Sequence, residues 1–304
     1  MTELMDALLR VNLVGALTIL AVLALRIPAR WRFGPEVAYR LWAAAPLAMV
    51  ATLIPLRTGK PTLHPLVNLA PAHFAPSLLA LWAVGVVVAV ALLWRAQAAF
   101  LRAAQLGRAG PAVVGVVAPR IVMPPDDGSY SQDERALIRA HEREHILRKD
   151  PRAGALMAAC QCVAWFNPLV HLAAHVARLD QELACDAAVI RRRPESRALY
   201  ARTLLKTQLA GMALPLGCYW PARSRHPLEV RIGLLRRPSG DGGLEGPLLI
   251  GAAVVAAAIL AWAAEPPMPV TPRQPAIVAD PYVPYGSGQM SVMLVTWRAA
   301  PARR

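Results

Sequence analysis

Acidic residues are scarce in this 304-residue chain: 19 Asp and Glu stand against 33 Lys and Arg, for a formal net charge of +14. Cysteine is scarcer, with four in all, and none lies in a C-x-x-C pair; Cys160 and Cys162 form only C-x-C. That spacing excludes a zinc-finger framework and a dithiol redox pair, and all four thiols are expected to be reduced. No cleavable leader is expected either. The first apolar stretch runs into Arg26, Arg30 and Arg32 with no small-residue cleavage site. What the chain has in excess is apolar surface: 56% of residues, with a mean hydropathy of +0.39. Basic charge alone would fit a nucleic-acid binder, but long runs of Ala, Val and Leu do not. The combination predicts membrane spans joined by basic loops and no direct nucleic-acid partner.

Four spans are expected, at about Leu4–Leu25, Val37–Leu56, Leu78–Trp94 and Pro247–Ala264. The last two carry no charge and just meet the ~30 Å a bilayer core requires. Arg40 lies near the start of the second, and Pro46 is expected to kink it. Lys and Arg set the orientation, because they concentrate on the cytoplasmic side. Arg26, Arg30 and Arg32 follow the first span, Arg95 and Arg102 the third, and Arg236 and Arg237 precede the fourth. Both termini are therefore expected outside. The domains expected are a three-span region 1–94, a cytoplasmic segment 95–246, a fourth span 247–264 and a Pro-rich tail 265–304.

The chemistry concentrates in one turn of the cytoplasmic segment: His141, Glu142, Arg143, Glu144, His145. This is H-E-x-x-H. Residues four apart share a helix face, so both imidazoles can reach one ion. Glu142 is rotated about 100° from His141 and cannot easily be a third ligand, but it can act on a water there as general base. The surroundings read as helices. Ser131 and Glu134 form a capping box opening a helix to about Lys149. Asp150-Pro151 is expected to stop it and to cap the next, apolar helix, about 152–166, which is too short and polar to be a fifth span and reads as buried or membrane-abutting. Asn167-Pro168 repeats the signal and opens a long helix to about Arg192, followed by a helix over 197–210. The Pro/Gly/Arg-rich stretch 215–246 reads as flexible connection. Upstream, Ala112–Met123 is β-branched and interrupted by proline, predicting short strands at Val113–Val117 and Ile121–Met123 with an edge position.

A catalytic zinc site has three protein ligands and one open position. The third ligand is expected from the long helix, where His171, His175, Glu182 and Asp186 fall within about 60° of one another. Glu182 is the choice, with Asp186 on the same face placed to hydrogen-bond the far nitrogen of a ligating histidine. His171 and His175 are the rivals. His175, two turns from Glu182, is kept as a candidate polar-face or transition-state group.

Three ordered blocks carry a resemblance: His141-Glu-Arg-Glu-His145-Ile-Leu-Arg-Lys-Asp150, then Trp165-Phe-Asn-Pro-Leu-Val-His171, then Arg178-Leu-Asp-Gln-Glu182-Leu-Ala-Cys-Asp186. Together they resemble the BlaR/MecR-type integral-membrane zinc peptidases over roughly residues 4–264. The resemblance implies a mainly α, polytopic protein of the bacterial inner membrane, with a cytoplasmic zincin-like (gluzincin) domain before the last span. It implies one Zn²⁺ per chain on His141, His145 and Glu182, with Glu142 catalytic and Asp186 an orienting acid. The substrate implied is a protein, such as a transcriptional repressor, or the chain itself. The best-known members carry a penicillin-binding sensor after the last span, whereas the 40 residues here hold no S-x-x-K, so β-lactam sensing is not expected. Met290–Trp297 reads as a strand or as part of a disordered tail.

Val113, Val114 and Val116 are candidates for a strand that pairs with an extended substrate. Arg236-Arg237 is a candidate cleavage point. Two readings compete with the peptidase. A non-catalytic membrane scaffold with a retained metal site would have no use for Glu142. An intramembrane protease would bury Arg139, Arg143, Glu144, Arg148 and Lys149 at great cost. Oligomeric state is not legible.

Overall fold

The computed structural model describes residues 2–54, 75–106, 109–209, 227–235 and 245–263, and these are mostly helical. Three helices are long and apolar enough to cross a membrane: α1 (Thr2–Phe33), α4 (Ala75–Gln105) and α10 (Glu245–Ala263). The expected second span departs from that length. Its described part is divided into α2 (Pro35–Arg40), a 3-10 turn (Leu41–Ala43) and α3 (Ala44–Ala51). Pro46 cannot donate to the carbonyl four residues earlier, and the tighter turn sits where that bond is lost. Three helices rather than four therefore meet the length for a span among the described residues. The loop 57–73, Arg236-Arg237, the strand expected at Met290–Trp297 and the tail 265–304 lie outside these residues.

Chain direction past the spans is set by local chemistry. Ser131 opens α5 (Gln132–Leu147) with the expected capping box: its hydroxyl accepts the Glu134 N–H at 3.2 Å, and the Glu134 carboxylate accepts the Ser131 N–H at 2.8 Å. Lys149 then takes φ 61°, a left-handed conformation that turns the chain sharply. Asp150 is not the cap that the sequence suggested. It is the first residue of α6 (Asp150–Val163), and its carboxylate turns back toward α5. Asn167 caps α7 (Pro168–Arg192) by accepting the Leu169 N–H at 3.0 Å. α8 spans Arg197–Leu209.

The stretch 215–246 is not all connection, because Pro227–Leu235 forms α9. Leu228, Ile232 and Leu235 recur at helical spacing and pack with Leu137, Ile190 and Tyr200, which offsets the poor propensity of the Gly-rich flanks. The first strand is also shorter than expected. β1 (Ala112–Val114) pairs antiparallel with β2 (Arg120–Val122), Val113 facing Ile121. Gly115, at φ 99°, ends β1, so Val116 falls in the connecting loop and cannot pair as a strand residue.

The main core joins α1 (Val14, Ile19, Val22), the α2–α3 run (Leu41, Ala44, Ala48), α7 (Val170, Ala173, Ala177) and α10 (Ala257, Ala261). At its edge lies a buried charge. Asp180 on α7 is fully buried and accepts from Arg26 of α1 at 2.7 Å and from the Trp42 indole at 2.9 Å, with Arg30 at 3.6 Å. Arginines that the sequence assigned to orientation thus also hold α7.

Candidate metal centre

α5 and α7 cross so that two imidazole nitrogens and one carboxylate meet. His141 Nε2 lies 3.2 Å from His145 Nε2, Glu182 Oε2 lies 3.3 Å from His141 Nε2, and Glu182 Oε1 lies 3.5 Å from His145 Nε2. Ligands 2.0–2.2 Å from one tetrahedral ion are separated by roughly 3.3–3.6 Å. The donor set therefore fits a divalent ion such as zinc without rearrangement, and the three residues qualify by distance as a metal-holding group.

The far nitrogens are fixed. His145 Nδ1 lies 2.8 Å from Asp150 Oδ2, which makes it the donor to a buried carboxylate. Tyr39 on α2 donates to the other Asp150 oxygen at 3.0 Å. On the other side, His141 Nδ1 sits 2.8 Å from the Tyr200 hydroxyl, which itself donates to Asp186 Oδ1 at 2.6 Å. Asp186 also lies 3.4 Å from His141 Nδ1. In each ring Nδ1 faces its oxygen partner and Nε2 faces the cluster, the orientation in which Nε2 would be the atom offered to a metal.

Arg231 closes the site from α9. Its guanidinium grips Asp186 with two bonds of 2.8 Å and reaches Glu182 Oε2 at 3.0 Å, while only 6% of the residue is exposed. Burial works to raise the Glu182 carboxyl, but Arg231 and the two imidazoles hold it well below the usual range. Asp186 is likewise held low by Arg231 against its burial. Burial pushes the Glu142 carboxyl up, opposed by His141 and His145. A buried carboxylate with a raised pKa, beside the cluster but outside the ligand trio, has the properties of a general base.

A second group, His145, Asp150 and Cys185, is also close enough to hold an ion. A cation already occupies that corner, because Arg148 contacts Cys185 Sγ at 3.4 Å and Asp150 at 3.5 Å. Burial pushes the Cys185 thiol up, which disfavours the thiolate a metal would need.

The remaining candidates fall elsewhere. His175 is half-buried on α7 and outside the cluster. His171 is engaged away from it, 2.9 Å from the Trp165 carbonyl and 3.3 Å from Gln161. Val113 and Val114 lie on β1, which neighbours α5. Sequence reasoning missed Asp150 as a histidine partner, along with Tyr39, Tyr200 and Arg231. Arg231 had a signal, since it shares a helix face with Leu228, Ile232 and Leu235.

Proton competition gives a first prediction. Burial would lower the His141 imidazole, but Asp186 and Glu182 raise it to about 10. The ring is therefore protonated below that pH, and an ion must displace the proton from Nε2. Divalent-ion affinity is expected to rise between pH 6 and 9. Calorimetry in buffers of different ionisation enthalpy should register about one proton released per ion bound. Affinity independent of pH would contradict this protonation state.

Residues 56–235, more than half of the chain, match the family described as BlaR1 peptidase M56. A stretch of 81 residues is 36% identical to the regulatory protein BlaR1 of Bacillus licheniformis, covering 27% of this chain and 14% of that protein. The match thus spans about one seventh of the curated relative. No solved structure matches the chain.

Proposed function

The chain belongs to the BlaR1 peptidase M56 family, and on that premise we propose that it is a membrane-embedded zinc endopeptidase. Its substrate is a cytoplasmic regulatory protein of the repressor type, or the chain itself, cut in the course of transmembrane signalling. The observation that carries this reading is the trio His141, His145 and Glu182, with both histidines oriented from behind and Glu142 buried next to them. A structural metal site has no use for a buried, unliganded Glu142, which disfavours the scaffold alternative.

His141, His145 and Glu182 would hold the zinc, whose chemistry is to polarise the scissile carbonyl and acidify water. Glu142 takes the proton of the attacking water and returns it to the leaving amide nitrogen. Asp150, and Tyr200 with Asp186, keep the two imidazoles in register during turnover. Arg231 keeps Glu182 ionised and aimed. An extended peptide laid beside β1 would be bound through its backbone, a sequence-tolerant mode suited to a protein substrate.

In the proposed topology both termini lie outside the bacterial inner membrane, with the peptidase segment 95–246 in the cytoplasm and α2–α3 completing a fourth passage. The orientation is supported by Arg26, Arg30 and Arg32 at the end of α1 and Arg95 and Arg102 on the C-terminal part of α4. Chelation tests the activity. Purified protein in detergent is expected to cleave labelled casein, to stop on addition of 1,10-phenanthroline and to recover with zinc. Cleavage that persists in chelator, and is unchanged in Glu142→Gln, would rule out a metallopeptidase.

A further inference from the structure

Between Arg152 and Arg178 the chain has no Asp, Glu, Lys or Arg. That interval is the upper part of α6, the turn over residues 164–167 and the first half of α7. We propose that it is a re-entrant hairpin, inserted into the bilayer beside α1, α4 and α10, with its outer face covered by lipid acyl chains. The proposal rests on reading those three helices as spans, as above.

The turn is built for a place without water. A turn between two helices exposes carbonyls that solvent normally satisfies; in hydrocarbon each must find a partner within the protein. The Val163 carbonyl accepts from the Trp82 indole of α4 at 2.8 Å. The Trp165 carbonyl lies 2.9 Å from His171 Nε2. Trp165 in turn donates its indole N–H to the Trp82 carbonyl at 3.2 Å, so the tip and α4 exchange hydrogen bonds. Asn167 is used in capping α7, and Gln161 is 3.3 Å from the His171 ring. The Val163 and Trp165 carbonyls, the two indoles and the His171 ring therefore all have protein partners.

Packing agrees. Trp165 lies so close over Gly85 that a Cβ there would fall 2.1 Å from its ring, so α4 is shaped to receive the tip. Ala164, Val170, Ala173 and Ala177 join one core with Val14, Ile19 and Val22 of α1 and with Ala257 and Ala261 of α10. The opposite side is open among the described residues. Leu156, Val163, Phe166 and Leu172 are 36–49% exposed, continuing the apolar outer surface of α4, where Leu81 and Val87 are 59% and 67% exposed. Lipid is the occupant that suits both surfaces at once.

Depth follows from length. From Arg152 to Val163 the helix rises roughly 16 Å at 1.5 Å per residue, about half of a ~30 Å hydrocarbon core. Arg152, Arg178 and the Asp180 cluster then mark the membrane surface. The metal centre, reached through Asp150 and Glu182, sits just beneath it, within reach of chain segments emerging from the bilayer.

The test places a fluorescent amino acid at position 166, 87 or 132 of the full chain reconstituted in phosphatidylethanolamine–phosphatidylglycerol vesicles. Quenching by doxyl-labelled lipid is compared with quenching by aqueous iodide. Position 87 on α4 reports the span and Gln132, exposed at the start of α5, reports water. Position 166 is expected to behave like 87, with lipid quenching dominant and iodide quenching several-fold weaker than at 132. Iodide quenching at 166 equal to that at 132, with 87 still lipid-quenched, would overturn the hairpin alone. Iodide quenching at 87 as well would overturn the span reading on which it rests.

Discussion

Glu142→Gln is expected to lower peptide cleavage by about 10²–10⁴-fold while leaving bound metal unchanged. The two halves of that result come from different features of the site. The three atoms that converge belong to His141, His145 and Glu182, so removing the Glu142 charge deletes no ligand. Yet Glu142 is 6% exposed, and such a buried acid is expensive to keep without a task. Burial raises its carboxyl while His141 and His145 work against the rise, which poises it to take and release a proton. The glutamine is isosteric and neutral, so the fold should hold. Cleavage of labelled casein beside elemental analysis of the same preparation separates the outcomes. Full activity in Glu142→Gln would remove it from the mechanism. Loss of metal together with activity would make it a ligand or a structural support.

Asp180→Ala is expected to be the most destabilising single change outside the metal centre. It leaves Arg26 beside a low-dielectric pocket with no counter-charge, and removing one member of a buried pair typically costs about 3–5 kcal/mol. Asp180 is fully buried and takes both Arg26 and Trp42, so neither water nor a neighbouring carboxylate can replace it. Thermal unfolding in detergent should fall by roughly 5–10 °C. The effect should reach the metal, because Asp180 lies on the helix that carries Glu182 and Asp186. Zinc affinity is expected to weaken in Asp180→Ala and to return in part in Asp180→Asn, which keeps an acceptor for Trp42. Unchanged stability would mean that Arg26 and Arg30 finish in solvent and that α7 is held by packing alone. Tyr39, through Asp150, ties the other ligand helix to the same membrane-proximal elements. Movement of α1 or α2 would therefore be felt at both His145 and Glu182.

Local signals in the sequence were enough for the parts of this structure that depend on short range. The capping box at Ser131, the Asn167-Pro168 start of α7 and the i, i+4 histidines are decided within one or two turns. Glu182 is legible because metal chemistry calls for a third ligand and the helical face offers few. What stayed illegible depends on contacts across long stretches of chain. Arg231 sits in a Pro- and Gly-rich neighbourhood, where residues 227–235 form a helix whose Leu228, Ile232 and Leu235 pack against Leu137 and Tyr200. Asp150 looked like a cap because Asp-Pro is a common start; the left-handed Lys149 spends that carboxylate on His145 instead. The division of the second span follows from Pro46, which the sequence flagged as a kink without fixing its extent. Arg26 and Arg30 looked like charges for water because their partner, Asp180, lies about 150 residues away.

Zinc content by elemental analysis, on detergent-purified wild type beside Glu182→Ala and Glu142→Ala, tests the central claim most directly. The account predicts one zinc ion per chain in wild type and in Glu142→Ala, and its loss in Glu182→Ala. Zinc retained in Glu182→Ala, or absent from wild type, would contradict it.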